Sequence, residues 1–236
     1  MSGTDTSRGL PDGMGRVLAV VAHPDDESFG LGGLLALLSG SGVPTAVLCF
    51  THGEASTLHC RPGDLHALRA DELACAAREL GVERVELSGY PDGVLDGVPV
   101  SRLAAEVTRL VDEQRPTHLL VFDTGGVTGH RDHQQATSAA LSAARDAGVT
   151  VVGWTLPREV TGELNAEFGT SFVGRDPAEC RVVEPVLREW QGRAIACHAS
   201  QSSDNPVLQR RLALLGDRGY VRVLGCPRRR SESGRG

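Results

Sequence analysis

The chain alternates between short, continuous apolar runs and longer segments in which apolar residues recur every three to four positions. The continuous runs are typical of strands buried on both faces, and they are RVLAVVA (16–22), PTAVLCF (44–50), RVELSG (84–89), THLLVFD (117–123) and VTVVGWT (149–155). The periodic segments predict helices at 32–42, 64–82, 100–114 and 133–148. This alternation predicts about five mostly parallel strands with helices on both faces, an α/β fold of the Rossmann-like doubly wound type.

The length of 236 residues fits a single domain. We expect residues 1–15 to be a flexible N-terminus, 16–226 to form the domain and 227–236 to be a disordered tail rich in Arg, Ser and Gly. Two further helices are predicted at 184–200 and 205–219, whereas 156–185 shows no clear periodicity.

The formal net charge of −6 and the scattered basic residues predict no nucleic-acid partner. The first apolar run is too short for a signal sequence or a membrane span, so a cytoplasmic protein without stable membrane insertion is expected. The six cysteines lack C-x-x-C spacing, and we interpret them as reduced thiols that mostly fill the core. Cys60 and Cys226 lie in loop-like surroundings and are candidates for exposure.

A cluster of polar side chains, His-Pro-Asp-Asp-Glu at 23–27, follows the first predicted strand. Ligands of open α/β sheets bind at the carboxyl ends of the strands, and a cation would offset three carboxylates carried into such a cleft. The cluster therefore indicates a metal site. The alternative is structural, with Asp capping a helix and Pro forming a turn.

A second cluster, Gly-His-Arg-Asp-His at 129–133, follows the predicted strand at 117–123. His130 and His133 are three positions apart, as are His23 and Asp26, so two side chains from one loop and one from the other could form a three-ligand zinc site with water in the open position. Adjacent aspartates on a tight turn point in different directions, so one would bind metal and the other would act as a general base. Alternatively, Asp132 caps a helix beside exposed histidines.

These motifs, AHPDDE at 22–27 and HRDH at 130–133, resemble the signatures of the N-acetylglucosaminyl-phosphatidylinositol de-N-acetylase family, also called PIG-L or LmbE-like. Further matching segments are THGE at 51–54, Arg69 with Glu72, YPDG at 90–93 and HASQ at 198–201. The resemblance covers most of residues 16–201 and implies a zinc-dependent hydrolase that removes an acyl group from an amino sugar or a related amine.

The resemblance also implies the roles of individual residues. His23, Asp26 and His133 would hold one Zn²⁺ per chain, with Fe²⁺ among the other divalent candidates, and Asp25 would be the general base. His130 would stabilise the oxyanion and protonate the departing amine, with Asp132 hydrogen-bonded to it. The expected substrate-binding residues are Glu54, Arg69, Asp92 and His198.

Several of these residues have structural alternatives. Arg69 and Glu72 could form a solvated helix face, and His198 could be an ordinary histidine packed on the last helix. His52, His59 and Cys60 match no metal spacing, so we interpret them as loop residues.

We therefore expect hydrolysis of an N-acetyl or other acyl group on an amino sugar or an amino-sugar-containing metabolite, by metal-activated water with Asp25 as the base. A second interpretation is an amidase that cleaves a larger acyl group from a thiol or antibiotic conjugate. Two His and one carboxylate also occur in Fe(II) oxygenases, although the strand–helix alternation disfavours that class. A non-catalytic sugar- or nucleotide-binding module is the alternative outside enzymes, but HPDDE stands where G-x-G-x-x-G should be. The expected partner is a small N-acylated molecule, and a homo-oligomer is allowed.

Overall fold

The computed structural model describes residues 9–57 and 65–226. The predicted tail at 227–236, the first eight residues of the predicted flexible N-terminus, His59 and Cys60 lie outside the described residues. Residues 9–15 are tied to the domain, since the Gly9 amide donates to the Val182 carbonyl (2.8 Å) and the Gly15 amide to Thr117 Oγ1 (3.0 Å).

The described residues form one seven-stranded sheet with helices on both faces. The strands are β1 (Val17–Val21), β2 (Thr45–Thr51), β3 (Arg84–Tyr90), β4 (His118–Phe122), β5 (Thr150–Trp154), β6 (Arg181–Val183) and β7 (Gly219–Gly225). The helices are α1 (Asp26–Phe29), α2 (Gly32–Gly40), α3 (Leu65–Glu79), α4 (Val100–Gln114), α5 (Gly126–Gly129), α6 (Arg131–Ala147), α7 (Arg158–Phe168), α8 (Arg188–Cys197), α9 (Ala199–Ser202) and α10 (Pro206–Leu215). Short 3-10 helices lie at Leu95–Gly97 and Pro177–Glu179.

The strand order is β3-β2-β1-β4-β5-β7-β6. The first five strands in this order are parallel, with Val17 opposite Thr45 on one side and His118 on the other, whereas β7 runs antiparallel to both β5 and β6. This confirms the predicted mostly parallel, Rossmann-like α/β sheet. The order reverses at β1, because the chain adds β2 and β3 on one side and then returns to place β4 on the other.

Four of the five runs predicted as strands, β1, β2, β4 and β5, are buried because helices cover both faces of the sheet, whereas the edge strand β3 is only partly buried. One core layer contains side chains of α2, α3 and α8, and the other contains side chains of α4 and α6. All five residues of β1 and all five of β4 are buried, which explains their continuous apolar sequence.

The last third of the chain differs most from the expectation. The segment 156–185 contains α7 and β6, and β7 follows the last helix, although the sequence predicted none of these three elements. Strand β6 has three residues, and β7 is partly exposed over its second half, so neither forms a long apolar run. The helix predicted at 184–200 begins only at Arg188 and ends at Cys197.

A buried carboxylate holds this antiparallel part against β4. Asp123, directly after β4, accepts from Arg175 Nε (2.7 Å) and from Arg222 Nη1 on β7 (3.0 Å). Asp123 is 2% exposed. Burial alone would raise the pKa of its carboxyl, but the two arginines hold that pKa below its ordinary value.

The expectation that all cysteines are reduced is wrong for two of them. Cys75 in α3 and Cys197 in α8 form a disulfide with a Cα–Cα distance of 5.8 Å. The two residues are 122 positions apart, so no local sequence pattern predicts the pair. The disulfide forms because α3 packs against α8. Cys49 and Cys180 are buried free thiols as expected, and Cys226 is exposed.

No helix in the described part of the chain is long and apolar enough to cross a membrane.

Candidate active site

The candidate site lies where the strand order reverses. The loop after β1 carries His23 and Asp25 and leads into α1, which begins with Asp26 and Glu27. The loop after β4 leads through α5 to His130 and His133 at the start of α6. Because β1 and β4 are adjacent and parallel, their carboxyl ends meet at one edge of the sheet. The geometry therefore brings together the two clusters that the sequence predicted to form one site.

Three donor atoms from these loops converge. His23 Nδ1 lies 3.2 Å from His133 Nε2, and His133 Nε2 lies 3.0 Å from Asp26 Oδ1. His23 Nδ1 is also 3.6 Å from the other oxygen of Asp26. Ligand atoms bound at about 2.0–2.1 Å in a tetrahedral zinc site stand about 3.3 Å apart, so the spacing of these atoms fits such an ion.

The remaining polar atoms of the three side chains are occupied by the protein. His23 Nε2 faces Asp92 Oδ1 (3.0 Å) and Asp132 Oδ2 (3.3 Å), and His133 Nδ1 faces the Gly126 carbonyl (3.1 Å). Asp26 Oδ2 accepts from the backbone amides of Ala22 (3.2 Å) and His23 (3.0 Å). Such outer contacts orient metal ligands and leave one donor atom of each side chain free to bind.

Two other groups near the site could hold a metal ion on distance alone. One is His23 with His130 and His133, and the other is His23 with Asp92 and Asp132. In the second group, the Asp132 carboxylate already accepts from the backbone amides of Gly93 (2.8 Å) and Leu95 (3.0 Å). Asp132 is therefore better suited to orient His23 than to bind an ion.

Asp25 is held beside the three donors by an unusual backbone and a buried arginine. Its φ of 115° is in the region that favours glycine. Its carboxylate meets Arg69, whereas that of Asp26 meets His133. Arg69 Nη2 donates to Asp25 Oδ2 (2.8 Å) and to the Pro24 carbonyl, and Arg69 Nη1 donates to the Gly53 carbonyl (2.6 Å). Burial raises the pKa of Asp25 to about 6, although Arg69 acts in the opposite direction.

Glu27 supports Asp25 from beneath the site. Its Oε2 accepts from the Asp25 amide (2.9 Å), and its Oε1 lies 2.6 Å from His198 Nε2 and accepts from Ser28 Oγ (2.6 Å). Both Glu27 and His198 are fully buried. Burial alone would lower the pKa of His198, but the Glu27 carboxylate in direct contact with the ring raises it, so Glu27 favours the protonated form of His198.

His130 is placed differently from its expected partner, Asp132. His130 caps α6, since its Nδ1 accepts from the Asp132 backbone amide (3.2 Å). The Asp132 carboxylate contacts His23 and backbone amides of the loop after β3, not the His130 ring as expected, and the cap of α6 is not Asp132. Burial, together with His23 and His133, lowers the pKa of His130. A neutral His130 that accepts at Nδ1 carries its proton on Nε2.

The three donors and Asp25 open onto a pocket of about 580 Å³. The described residues that line it are His23, Asp25, Asp26, Phe29, Gly30, Ala55, Ser56, Thr57, Arg69, Asp92, Gly93, Phe122, Thr128, His130, His133, Phe172, Gln201, Asn205, Val207, Leu208 and Arg211. A pocket of this size accepts a ligand larger than one small acyl group.

The residues expected to contact a sugar take different positions. Asp92 lines the pocket, and its backbone amide donates to Glu54 (3.0 Å), which is exposed and does not belong to the lining residues. Arg69 lines the pocket but holds Asp25, and His198 is buried behind Glu27 and does not belong to the lining. His52 stacks on His66, outside the lining residues.

Arg69 and Glu72 do not form a solvated helix face, since they are 3% and 7% exposed. The Glu72 carboxylate accepts from the Ser200 amide (2.8 Å) and hydroxyl (2.6 Å). This contact ties α3 to α9, beside His198. Sequence reasoning did not assign it, although both residues belong to the matching segments quoted above.

Comparisons with known proteins agree with this geometry. The PIG-L family model, described as GlcNAc-PI de-N-acetylase, matches residues 18–144, more than half of the chain. A 1D-myo-inositol 2-acetamido-2-deoxy-alpha-D-glucopyranoside deacetylase of Streptomyces scabiei is 36% identical over 154 residues, covering 55% of this chain and 48% of that protein. The enzyme of the same name from Rhodococcus erythropolis is 30% identical over 203 residues, covering 72% and 69%. The chain thus spans about half the length of the first relative.

Among solved structures, the zinc-inhibited form of the teicoplanin deacetylase Orf2 superposes with a TM-score of 0.65 at 21% identity, covering 87% of this chain and 96% of that one. At this identity the likeness shows the fold.

Proposed function

The chain belongs to the PIG-L family, and from this membership and its site we propose that it is a metal-dependent hydrolase that removes the N-acetyl group from an amino sugar or an amino-sugar-containing metabolite. The observation that carries the proposal is the convergence of His23 Nδ1, Asp26 Oδ1 and His133 Nε2 beside a separately held carboxylate, Asp25.

In this proposal His23, Asp26 and His133 hold a zinc ion. Two imidazoles and one carboxylate are a usual donor set for catalytic zinc, and their outer contacts are already made. When bound, zinc lowers the pKa of a coordinated water to about 7 and polarises the carbonyl of the acyl group.

Asp25 takes the proton of the attacking water. Its carboxylate lines the pocket beside Asp26 and is held by Arg69, so it would stay available as a base next to a bound ion. His130 Nε2 would donate a hydrogen bond to the oxyanion that develops. The proton that Asp25 has taken from the water would pass to the departing amine, since a neutral His130 that accepts at Nδ1 has no spare proton to give, contrary to the expectation from the resemblance. Asp132 fixes the orientation of His23.

Exchange of Asp25 for asparagine tests the role of the base. We expect Asp25→Asn to lower the rate of acetate release by about 10²- to 10⁴-fold while the metal stays bound, because a general base contributes a factor of this size. The substrates are a panel of N-acetylated amino sugars and their glycosides, and metal per chain is measured by mass spectrometry. Asp96→Asn is the matched control, since Asp96 lies at the surface and pairs with Arg131.

About one zinc per chain in both variants, with acetate released by wild type and by Asp96→Asn, is the expected result. Acetate release by Asp25→Asn at the wild-type rate would contradict the assignment of the base. No stoichiometric metal and no acetate from any substrate would contradict the proposed hydrolase.

A further inference from the structure

The pocket continues beyond the candidate metal ligands into a part lined mainly by apolar side chains. Phe29 follows the HPDDE motif, Phe172 lies in the loop after α7, and Val207 and Leu208 belong to α10. None of these residues was assigned from the sequence. A mostly apolar wall with a few polar groups is typical of a part of a site that selects its ligand.

One buried arginine lies among these apolar residues. Arg211 of α10 is 6% exposed and lines the pocket. Its Nη2 donates to the Phe29 carbonyl (2.8 Å), and its guanidinium carbon lies 5.5 Å from the centre of the Trp154 ring. Its Nε is buried with no hydrogen-bond partner among the described residues, and Nη1 makes no hydrogen bond to them either.

The other arginine in the described lining, Arg69, also has a buried Nε without a hydrogen-bond partner among the described residues, but it differs from Arg211 in having a carboxylate partner. Arg69 donates to Asp25 and to two backbone carbonyls, including that of Gly53. No ion pair between described residues includes Arg211, and the carboxylates of the site already have closer partners, Asp25 with Arg69 and Asp26 with His133. Arg211 is therefore a buried positive charge with no carboxylate of its own.

Arg211 is a cation at neutral pH. Burial, with a smaller contribution from Arg188, lowers the pKa of Arg211 to about 10, while the more distant carboxylates of Asp25 and Asp26 act in the opposite direction. Arginines are rarely buried without an anionic partner, because a guanidinium loses its hydration on burial. A guanidinium that faces a pocket in this state is suited to a carboxylate from the ligand, since charge-assisted N–H···O bonds are among the strongest that proteins make.

We propose that Arg211 binds a carboxylate carried by the substrate. This inference rests on the proposed function and narrows it, since the substrate would be an N-acylated amino sugar with an acidic group. Either of two parts of such a substrate could carry the carboxylate that Arg211 binds. It belongs either to the aglycone of a glycoside or to the acyl group itself, as in a dicarboxylic acyl chain.

Two matched pairs of substrates separate these sources. The first pair is the methyl and the carboxymethyl glycoside of N-acetylglucosamine, and the second is the N-acetyl and the N-succinyl form of methyl glucosaminide. The measured quantity is the ratio of kcat/KM for the charged member to that for the neutral member. We expect wild type to favour the charged member of one pair by about 10- to 100-fold, the size of a hydrogen bond to a charged group.

Arg211→Gln should bring this ratio close to one, and Arg211→Lys should keep part of it because the charge remains. Arg210→Gln is the matched control on the same helix, since the Arg210 side chain is 40% exposed and pairs with Glu163 and Glu167. It should keep the wild-type ratio. If Arg211 only caps α1 through the Phe29 carbonyl, its replacement would change both members of each pair alike and leave the ratio in place.

Succinate binding by calorimetry gives a readout that does not depend on turnover. Wild type and Arg210→Gln should bind succinate at least 10-fold more tightly than Arg211→Gln. Equal succinate binding by wild type and Arg211→Gln, or a ratio near one for both pairs in wild type, would overturn the role of Arg211. If neutral substrates are still hydrolysed in that case, the proposed function stands. If no substrate is hydrolysed but succinate binding depends on Arg211, the proposed function fails and the carboxylate site stands.

Discussion

Replacing Glu27 by glutamine should destabilise the protein by about 2–4 kcal/mol and lower turnover, although the two side chains have nearly the same shape. Glu27 is fully buried and uses both carboxylate oxygens as acceptors, one for the Asp25 amide and one for His198 Nε2 and Ser28 Oγ. A glutamine has one oxygen and one NH₂ group. The NH₂ group must therefore replace one of the two acceptors, either the one that faces the Asp25 amide or the one that faces His198 and Ser28.

The magnitude follows from the groups left without a partner. If the NH₂ group faces Asp25, a buried amide loses its acceptor at a cost of about 1–3 kcal/mol. If it faces His198, the ring must accept at Nε2 and move its proton to Nδ1, which is buried and has no partner among the described residues. In either orientation the charge that stabilises a protonated His198 is lost, which adds roughly 1 kcal/mol or more.

Urea unfolding of wild type and Glu27→Gln gives the difference in the free energy of unfolding, and acetate release gives turnover. If the NH₂ group faces Asp25, turnover should also fall by about 10- to 100-fold, since Asp25 loses the contact that fixes its strained backbone. Glu163→Gln is the control, because Glu163 lies at the surface and should change stability by less than about 0.5 kcal/mol. A Glu27→Gln variant within that margin of wild type would refute this account of the buried pair.

Three further changes test other contacts. Asp123→Asn should cost roughly 2–3 kcal/mol at pH 7, less than a fully buried pair because its two arginines are partly exposed. Since the pKa of Asp123 is depressed on folding, this difference should persist above about pH 4 and shrink as the pH falls through the folded pKa, as measured by urea unfolding. Gly53→Ala should lower both stability and turnover, because a Cβ would overlap the Arg69 guanidinium, whereas Gly169→Ala has the same φ of 66° with open space around it and should lower stability alone. Cys75→Ser should lose about 2–4 kcal/mol, and a reductant should then destabilise wild type but not the variant.

The central part of the fold could be predicted because burial determines which positions of a strand or helix are apolar. Strands covered on both faces are mainly apolar, as in β1, β2, β4 and β5. Helices covered on one face have apolar residues every three to four positions, so the helices between these strands were also recognisable. Strand β7 pairs on both sides but is partly exposed, and its sequence, GYVRVLG, mixes polar and apolar residues. The position of β7 depends on its pairing with β5, and no local sequence pattern predicts that pairing.

The candidate metal donors could be predicted for a similar reason. Carboxylates and imidazoles directly after buried strands cannot be filling the core, so their positions point to a site. The contacts that support the site were not predictable in this way. Arg69 is 44 positions from Asp25, and His198 is 171 positions from Glu27, so each pairing exists only once α3 and α8 have packed.

The three consecutive carboxylates of the HPDDE motif can now be explained together. Asp25 pairs with Arg69, Asp26 lies 3.0 Å from His133, and Glu27 pairs with His198. The left-handed backbone at Asp25 sends neighbouring side chains in different directions, so each carboxylate meets a different partner instead of repelling the others at one point. A carboxylate left without its partner would be a buried, uncompensated charge, which costs far more than a lost surface contact. The order of residues in the motif is therefore set by which partner each position can reach, and exchanging Asp26 with Glu27 would disturb the candidate metal ligands and the support of Asp25 at once.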